Sequence, residues 1–184
     1  MNVALFFDGS NFWIGKESAK VGDIDYWKLA MWLVDQAGGK ILSGAHYYAS
    51  IDEEYSPTFF STFLDLLEGQ PGFFVHRFKY GVATQTCRKC GDSRQARVEK
   101  RVDTTIAVDM LRLAAVNAFD AVVLLSGDLD FAPAIDGVHS LGKRAYVATW
   151  GKTSLSRDLR RIAFDHIDLL DGQSEFAKTT RTAS

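Results

Sequence analysis

Short apolar runs alternate along the chain with stretches in which apolar residues recur at helical spacing. The clearest run lies in "DAVVLLSG", Asp120 to Gly127, where Ala121 to Leu125 are apolar without a break, as in a strand buried on both faces of a parallel sheet. Its tip nevertheless delivers two carboxylates, Asp128 and Asp130. Upstream, "NVALFFD" (Asn2 to Asp8) predicts a first strand that also ends in an acid. "DYWKLAMWLVDQAG" (Asp25 to Gly38) predicts a helix with Asp as N-cap and Gly as its stop. The pattern repeats with a strand over Lys40 to Ile51 and a helix over Ser56 to Gly69, which opens with Ser and Pro. A third strand covers Gly72 to Gly81, and a long helix capped by Asp103 covers Val102 to Phe119. After the Asp120 to Gly127 strand come a helix from about Leu129 to Leu141, a strand over Lys143 to Trp150, a short helix in "SLSRDLRRIA" and a last strand at "HIDLL".

This alternation predicts an α/β fold, a doubly wound and mainly parallel sheet with helices on both faces. With 184 residues, 47% of them hydrophobic, the chain fits one domain with a full-sized core, taken as residues 1–171. The tail from Gly172, rich in Ser, Thr and Lys, reads as disordered. No basic leader or long apolar span occurs, so the expectation is a cytoplasmic protein that makes no use of a membrane. Two cysteines spaced C-x-x-C also suit a reducing compartment better than a disulfide framework.

In parallel sheets of this kind ligands bind beyond the carboxyl ends of the strands. Asp8, Asp128 and Asp130 fall on that edge. A helix running antiparallel to the strands begins there too, which adds Asp103. Each of these acids alone also fits a cap or a turn, but capping gives no reason for four of them to share one edge. At about 5 Å and an effective dielectric near 20, each ionised pair repels by roughly 3 kcal/mol. A hard divalent cation, Mg²⁺ or Mn²⁺, is the simplest occupant of such a cluster.

The net charge of -2 excludes a globally basic nucleic-acid binder, but the charge is unevenly spread. Between Arg77 and Arg101 stand Arg77, Lys79, Arg88, Lys89, Arg94, Arg97, Lys100 and Arg101 against Asp92 and Glu99, a local excess of six positive charges directly before Asp103. Phosphates could pass along this segment on their way to a metal. Phe12, Trp13, Phe78 and Tyr80 are candidates for stacking on unpaired bases, with a core role the competing reading. "CRKCG", Cys87 to Gly91, sits in the same insertion, at about residues 81–101. A structural zinc site needs four ligands; Cys87 and Cys90 supply two and His76 could add a third, so a zinc, a redox pair or simply the turn of a hairpin all remain open. His46, His139 and His166 show no ligand spacing and read as structural or surface residues.

Four stretches in order, "FFDGSN" (Phe6 to Asn11), "KRVDTTIAVDM" (Lys100 to Met110), "VVLLSGDLDFAPAI" (Val122 to Ile135) and "GKRAYVAT" (Gly142 to Thr149), resemble the NYN domain, in the LabA-like branch of the PIN-like nuclease superfamily. The resemblance covers roughly residues 2 to 170. It implies a three-layer sandwich with an acidic pocket that binds Mg²⁺ or Mn²⁺ and an endoribonuclease activity. By motif it assigns Asp8, Asp103, Asp128 and Asp130 to the metal and to catalysis, with Asn11, Ser126 and Asp109 assisting. RNA is then the expected partner, with DNA and a homodimer left open. The competing classes are an RNA-binding or regulatory module that keeps the pocket without cutting, and a small-molecule phosphohydrolase. The absence of a P-loop, and of D-x-D on the first strand, weighs against the last.

Overall fold

The computed structural model describes residues 1–51, 58–86, 90–151 and 155–178. Strand β1 (Asn2–Asp8) leads directly into helix α1 (Gly9–Ser18), and α2 (Tyr26–Gln36) returns the chain to β2 (Ile41–Ile51). Then come α3 (Thr58–Glu68), β3 (Phe73–Lys79), a hairpin of β4 (Gly81–Thr86) and β5 (Ser93–Val98), and α4 (Val102–Ala115). Strand β6 (Ala121–Leu125), a 3-10 turn (Leu129–Phe131), α5 (Ala132–Ser140), β7 (Arg144–Thr149), α6 (Arg157–Ile162), β8 (Asp165–Asp168) and α7 (Gln173–Phe176) complete it.

Among the described residues, six strands form one parallel sheet in the order β3-β2-β1-β6-β7-β8. Alternate side chains divide between its faces. Val3, Leu5 and Phe7 of β1 pack under α1, α2, α3 and α7, whereas Ala4 and Phe6 pack under α4, α5 and α6. The strand order reverses between β1 and β6, which makes the carboxyl ends of these two neighbours the switch point of the sheet. Asp8 closes one of them and Ser126 follows the other.

Local chemistry explains the element ends. Asp25 caps α2 by accepting from Lys28 N (3.1 Å), and the helix stops where Gly38 takes φ +70°. Helix α4 ends at Ala115, short of the expected Phe119. Asn117 adopts φ 57°, and the Ala118 and Asn117 amides donate back to the Leu113 and Ala114 carbonyls, closing a Schellman turn.

Two features differ from the sequence reading, and one decides among alternatives it left open. Helix α1 was not expected, because Phe12, Trp13 and Ile14 are adjacent in sequence and show no helical spacing. It is set instead by the Asp8 cap, by the Trp150 indole donating to the Phe12 carbonyl (3.1 Å), and by Gly9, where any Cβ would strike the Tyr48 carbonyl. The insertion is a separate antiparallel hairpin. The packed chain also runs past Gly172, the expected start of disorder: Phe176 is fully buried against Trp32, and Ala177 bridges Ile24.

Candidate functional site

Asp8 is 4% exposed, and each of its oxygens is held from a different direction. The Asn11 amide donates to Oδ1 at 3.2 Å, so the carboxylate caps α1, while Ser126 Oγ donates to Oδ2 at 3.0 Å across from the neighbouring strand. The Ser126 oxygen in turn accepts from Asp128 N at 3.3 Å, which directs its single hydrogen at Asp8. The Asn11 side chain bonds the backbone rather than a carboxylate: its Oδ1 accepts from Gly127 N at 3.2 Å and ties α1 to the loop beyond β6. Burial is the largest influence on Asp8 and lifts its pKa to about 6, aided by the charge of Asp103 and opposed by the bonds from Asn11, Ser126 and Ser10.

Asp103 stands in the first turn of α4 and is not its cap. Arg101 holds the cap position in a left-handed conformation, with no side-chain bond to the helix. The Asp103 carboxyl is also raised, by burial and then by the charges of Asp128, Glu99 and Asp130. Asp128 caps the 3-10 turn through Asp130 N at 3.0 Å, which brings both carboxylates of "GDLD" to the same place. Asp8, Asp103, Asp128 and Asp130 thus share one negative field, as the edge argument expected. Glu99 joins them; Ser10 Oγ lies 2.8 Å from Glu99 Oε2 and 3.3 Å from Asp8 Oδ1. The shorter contact makes Glu99 the main acceptor of its one hydrogen, with Asp8 the weaker one.

Among the described residues, none of these four aspartates is ion-paired with a lysine or arginine. Nor, among those residues, do three His, Cys, Asp or Glu side chains close around one point as a finished metal cage. An open, negative, all-oxygen set is the kind that Mg²⁺ uses when water and a substrate phosphate complete its coordination. By the chemistry of its donors, all carboxylate oxygens without a cationic partner among the described residues, the set suits such an ion.

A family model, NYN domain, matches residues 2–170. The chain belongs to the NYN domain family. That family is generally nuclease-like, and its nucleases generally depend on divalent metals. Among solved structures, the chain is similar to a protein of unknown function from Vibrio parahaemolyticus RIMD 2210633, VPA0982. The TM-score is 0.65 at 22% identity, covering 91% of this chain and 92% of that one, a likeness of fold. No curated protein matches the chain.

The remaining candidates in this NYN domain are spread more widely. Asp109 accepts from the Tyr48 hydroxyl at 2.9 Å and pairs with Arg112 at 3.0 Å, an attachment separate from the acid cluster. Lys100 and Arg101 are exposed between the hairpin and α4, and Lys79 ends β3. Arg94 and Arg97 occupy β5. Arg88, Lys89 and Cys87 lie outside the described residues, whereas Cys90 is exposed beside the hairpin turn. His76, the third zinc ligand considered, is instead hydrogen-bonded to His46, Nε2 to Nδ1 at 3.2 Å. Of the stacking candidates, Phe12 is core, Phe78 is half-buried, and Trp13 and Tyr80 are 37% and 38% exposed.

Glu99 and Ser10 are the members of the cluster that the sequence reading missed. Glu99 counted there only against a basic run, and its spacing four residues before Asp103 was the available signal. Among the described residues no helix is long and apolar enough to cross a membrane.

Proposed function

We propose that this NYN domain is a Mg²⁺- or Mn²⁺-dependent ribonuclease of the LabA-like branch that hydrolyses phosphodiester bonds of single-stranded or structured RNA in the cytoplasm. The observation that carries the reading is the shared field at the switch point, where burial, aided by the charge of Asp103, lifts Asp8 to a pKa of about 6, and Asp103 in turn feels the charges of Asp128 and Asp130. Folding alone gains nothing from that crowding.

Asp8, Asp103, Asp128 and Asp130 would hold the ion. When bound, a divalent cation supplies positive charge against the phosphodiester oxygens and acidifies an attacking water. The chain's own groups have separable tasks. Ser126 and the Asn11 amide fix both oxygens of Asp8, so this carboxylate loses no orientational freedom when it is used. Asn11 and Gly127 lock the loop that carries Asp128 against α1. Asp103, whose proton affinity is raised by burial and then by the charges of its neighbours, is suited to accept a proton from the nucleophile, and Asp130 to orient it. The basic residues around the hairpin supply phosphate attraction next to a negative pocket that would otherwise repel RNA.

Purified protein incubated with labelled single-stranded RNA and DNA, under Mn²⁺, Mg²⁺ or EDTA, tests the proposal. RNA is expected to be cut only with a divalent ion, and Asp128→Asn is expected to be inactive. Salt-sensitive RNA binding without cleavage under either ion would instead make the domain a binding module.

A further inference from the structure

The parallel register of β1, β2 and β3 sets Phe6, His46 and Phe74 in one row and Asp8, Tyr48 and His76 in the next. The rings of these rows lie nearly parallel. Phe6 and His46 are 5.0 Å apart at 20°, His46 and Phe74 4.9 Å at 19°, and Tyr48 and His76 4.3 Å at 11°. The His46 to His76 hydrogen bond joins the two rows edge to edge. Phe6 and Tyr48 are fully buried, so the ladder begins in the core under α4 and emerges through the half-buried histidines. It ends on Phe74, which is 48% exposed on the edge strand of the sheet. Among the described residues no other ring covers the outer side of Phe74.

We propose that this face of β2 and β3 is a stacking platform for unpaired bases of an RNA strand whose backbone reaches the acid cluster. Every base presents a π-face, and an exposed ring backed by a fixed stack receives it without regard to sequence. The second row of the ladder begins at Asp8 itself, so the platform is continuous with the site. Residues Phe74, His76 and Phe78, spaced by two along β3, lead towards the same carboxyl edge and the basic segment that follows. Arg112 flanks the ladder; it is exposed, holds Asp109 against the Tyr48 hydroxyl, and its positive charge reaches both imidazoles. A cation beside flat apolar rings suits a single strand with its phosphates, whereas a duplex hides its base faces.

The inference rests on RNA being the substrate, and binding separates it from catalysis. In an Asp128→Asn background with EDTA, fluorescence anisotropy of a labelled unstructured single-stranded RNA should show about ten-fold weaker binding for Phe74→Leu, which keeps apolar cover but loses the ring. Phe74→Trp should bind as tightly as the parent, and a hairpin RNA duplex should be indifferent to both changes. Equal affinity of Phe74→Leu and the parent for the single strand, or an equal loss on the duplex, would overturn the platform. So would a self-association of the parent that Phe74→Leu abolishes, because the face would then belong to a second copy. Metal-dependent cleavage by the wild type alongside ring-independent binding would sink the platform alone. Ring-dependent binding without cleavage would sink the nuclease reading alone.

Discussion

In protein stripped of divalent ions, Asp8→Asn raises the melting temperature, and with the ion restored it cuts RNA cleavage by about a thousand-fold or more. The two effects share one cause. A carboxyl raised to about 6 is ionised at neutral pH against its burial and against Asp103, a penalty of about 3 kcal/mol relative to its model value of 3.8. Asparagine removes the charge at almost unchanged volume. Its amide also turns a donor towards Ser126 Oγ, which now donates to that position, and this mismatch offsets about 1 kcal/mol. The net gain is about 1 to 2 kcal/mol, or about 4 °C for a chain of this length. Loss of a ligand to the ion removes several kcal/mol of charge stabilisation in the transition state, hence the thousand-fold. Thermal denaturation and initial cleavage rates on the same preparations check both halves. A variant that is destabilised and yet active would contradict the assignment of Asp8.

The second large effect is the way this stability difference depends on pH. The folded Asp8 carboxyl keeps its proton up to about pH 6, whereas the unfolded one releases it near 3.8. Below 3.8 the group contributes nothing either way. Between the two values the folded state binds more protons, so stability falls as pH rises and the full penalty stands above 6. Asp103, raised by burial and by Asp128, Glu99 and Asp130, acts with the same sign. The histidines act against it. Burial lowers His46 to about 4 and also lowers His76, so below 6.5 the unfolded chain takes up protons that the folded ladder refuses, and stability rises with pH over much of the same window. The wild-type curve alone is therefore nearly uninformative. Denaturant unfolding of the wild type and Asp8→Asn, compared from pH 3.5 to 7.5 without metal, isolates the aspartate. The advantage of the variant should be smallest near pH 3.5, grow between 4 and 6, and level off above. A difference that stayed constant across the range would mean that Asp8 titrates normally.

Much of the site was legible in the sequence because it is made of strand ends. An apolar run that stops at Asp8, another that stops before Asp128, and a helix that starts at Asp103 place three acids on one edge of a parallel sheet once alternation has fixed the direction of each element. What escaped depends on register and on contacts between distant segments. Glu99 meets Ser10 because the chain leaving the β4-β5 hairpin passes the start of α1, a contact that its spacing from Asp103 hints at but does not fix. His46 looked like an isolated histidine; the offset between β1, β2 and β3 decides that it lies between Phe6 and Phe74. Asp109 shares a motif with Asp103, but sits six residues further along α4, well over one turn away, where Tyr48 and Arg112 claim it. Helix α7 is held by the burial of Phe176 against Trp32 and Trp150, a tertiary effect that overrides a polar composition.

The account depends on the four aspartates tolerating one another because a cation resolves their repulsion, and calorimetric titration of Mn²⁺ into the metal-free protein at pH 7.5 tests this most directly. The wild type should bind the ion saturably, while Asp8→Asn should bind at least about ten-fold more weakly. Binding of equal strength in both proteins, or none in the wild type, would contradict it.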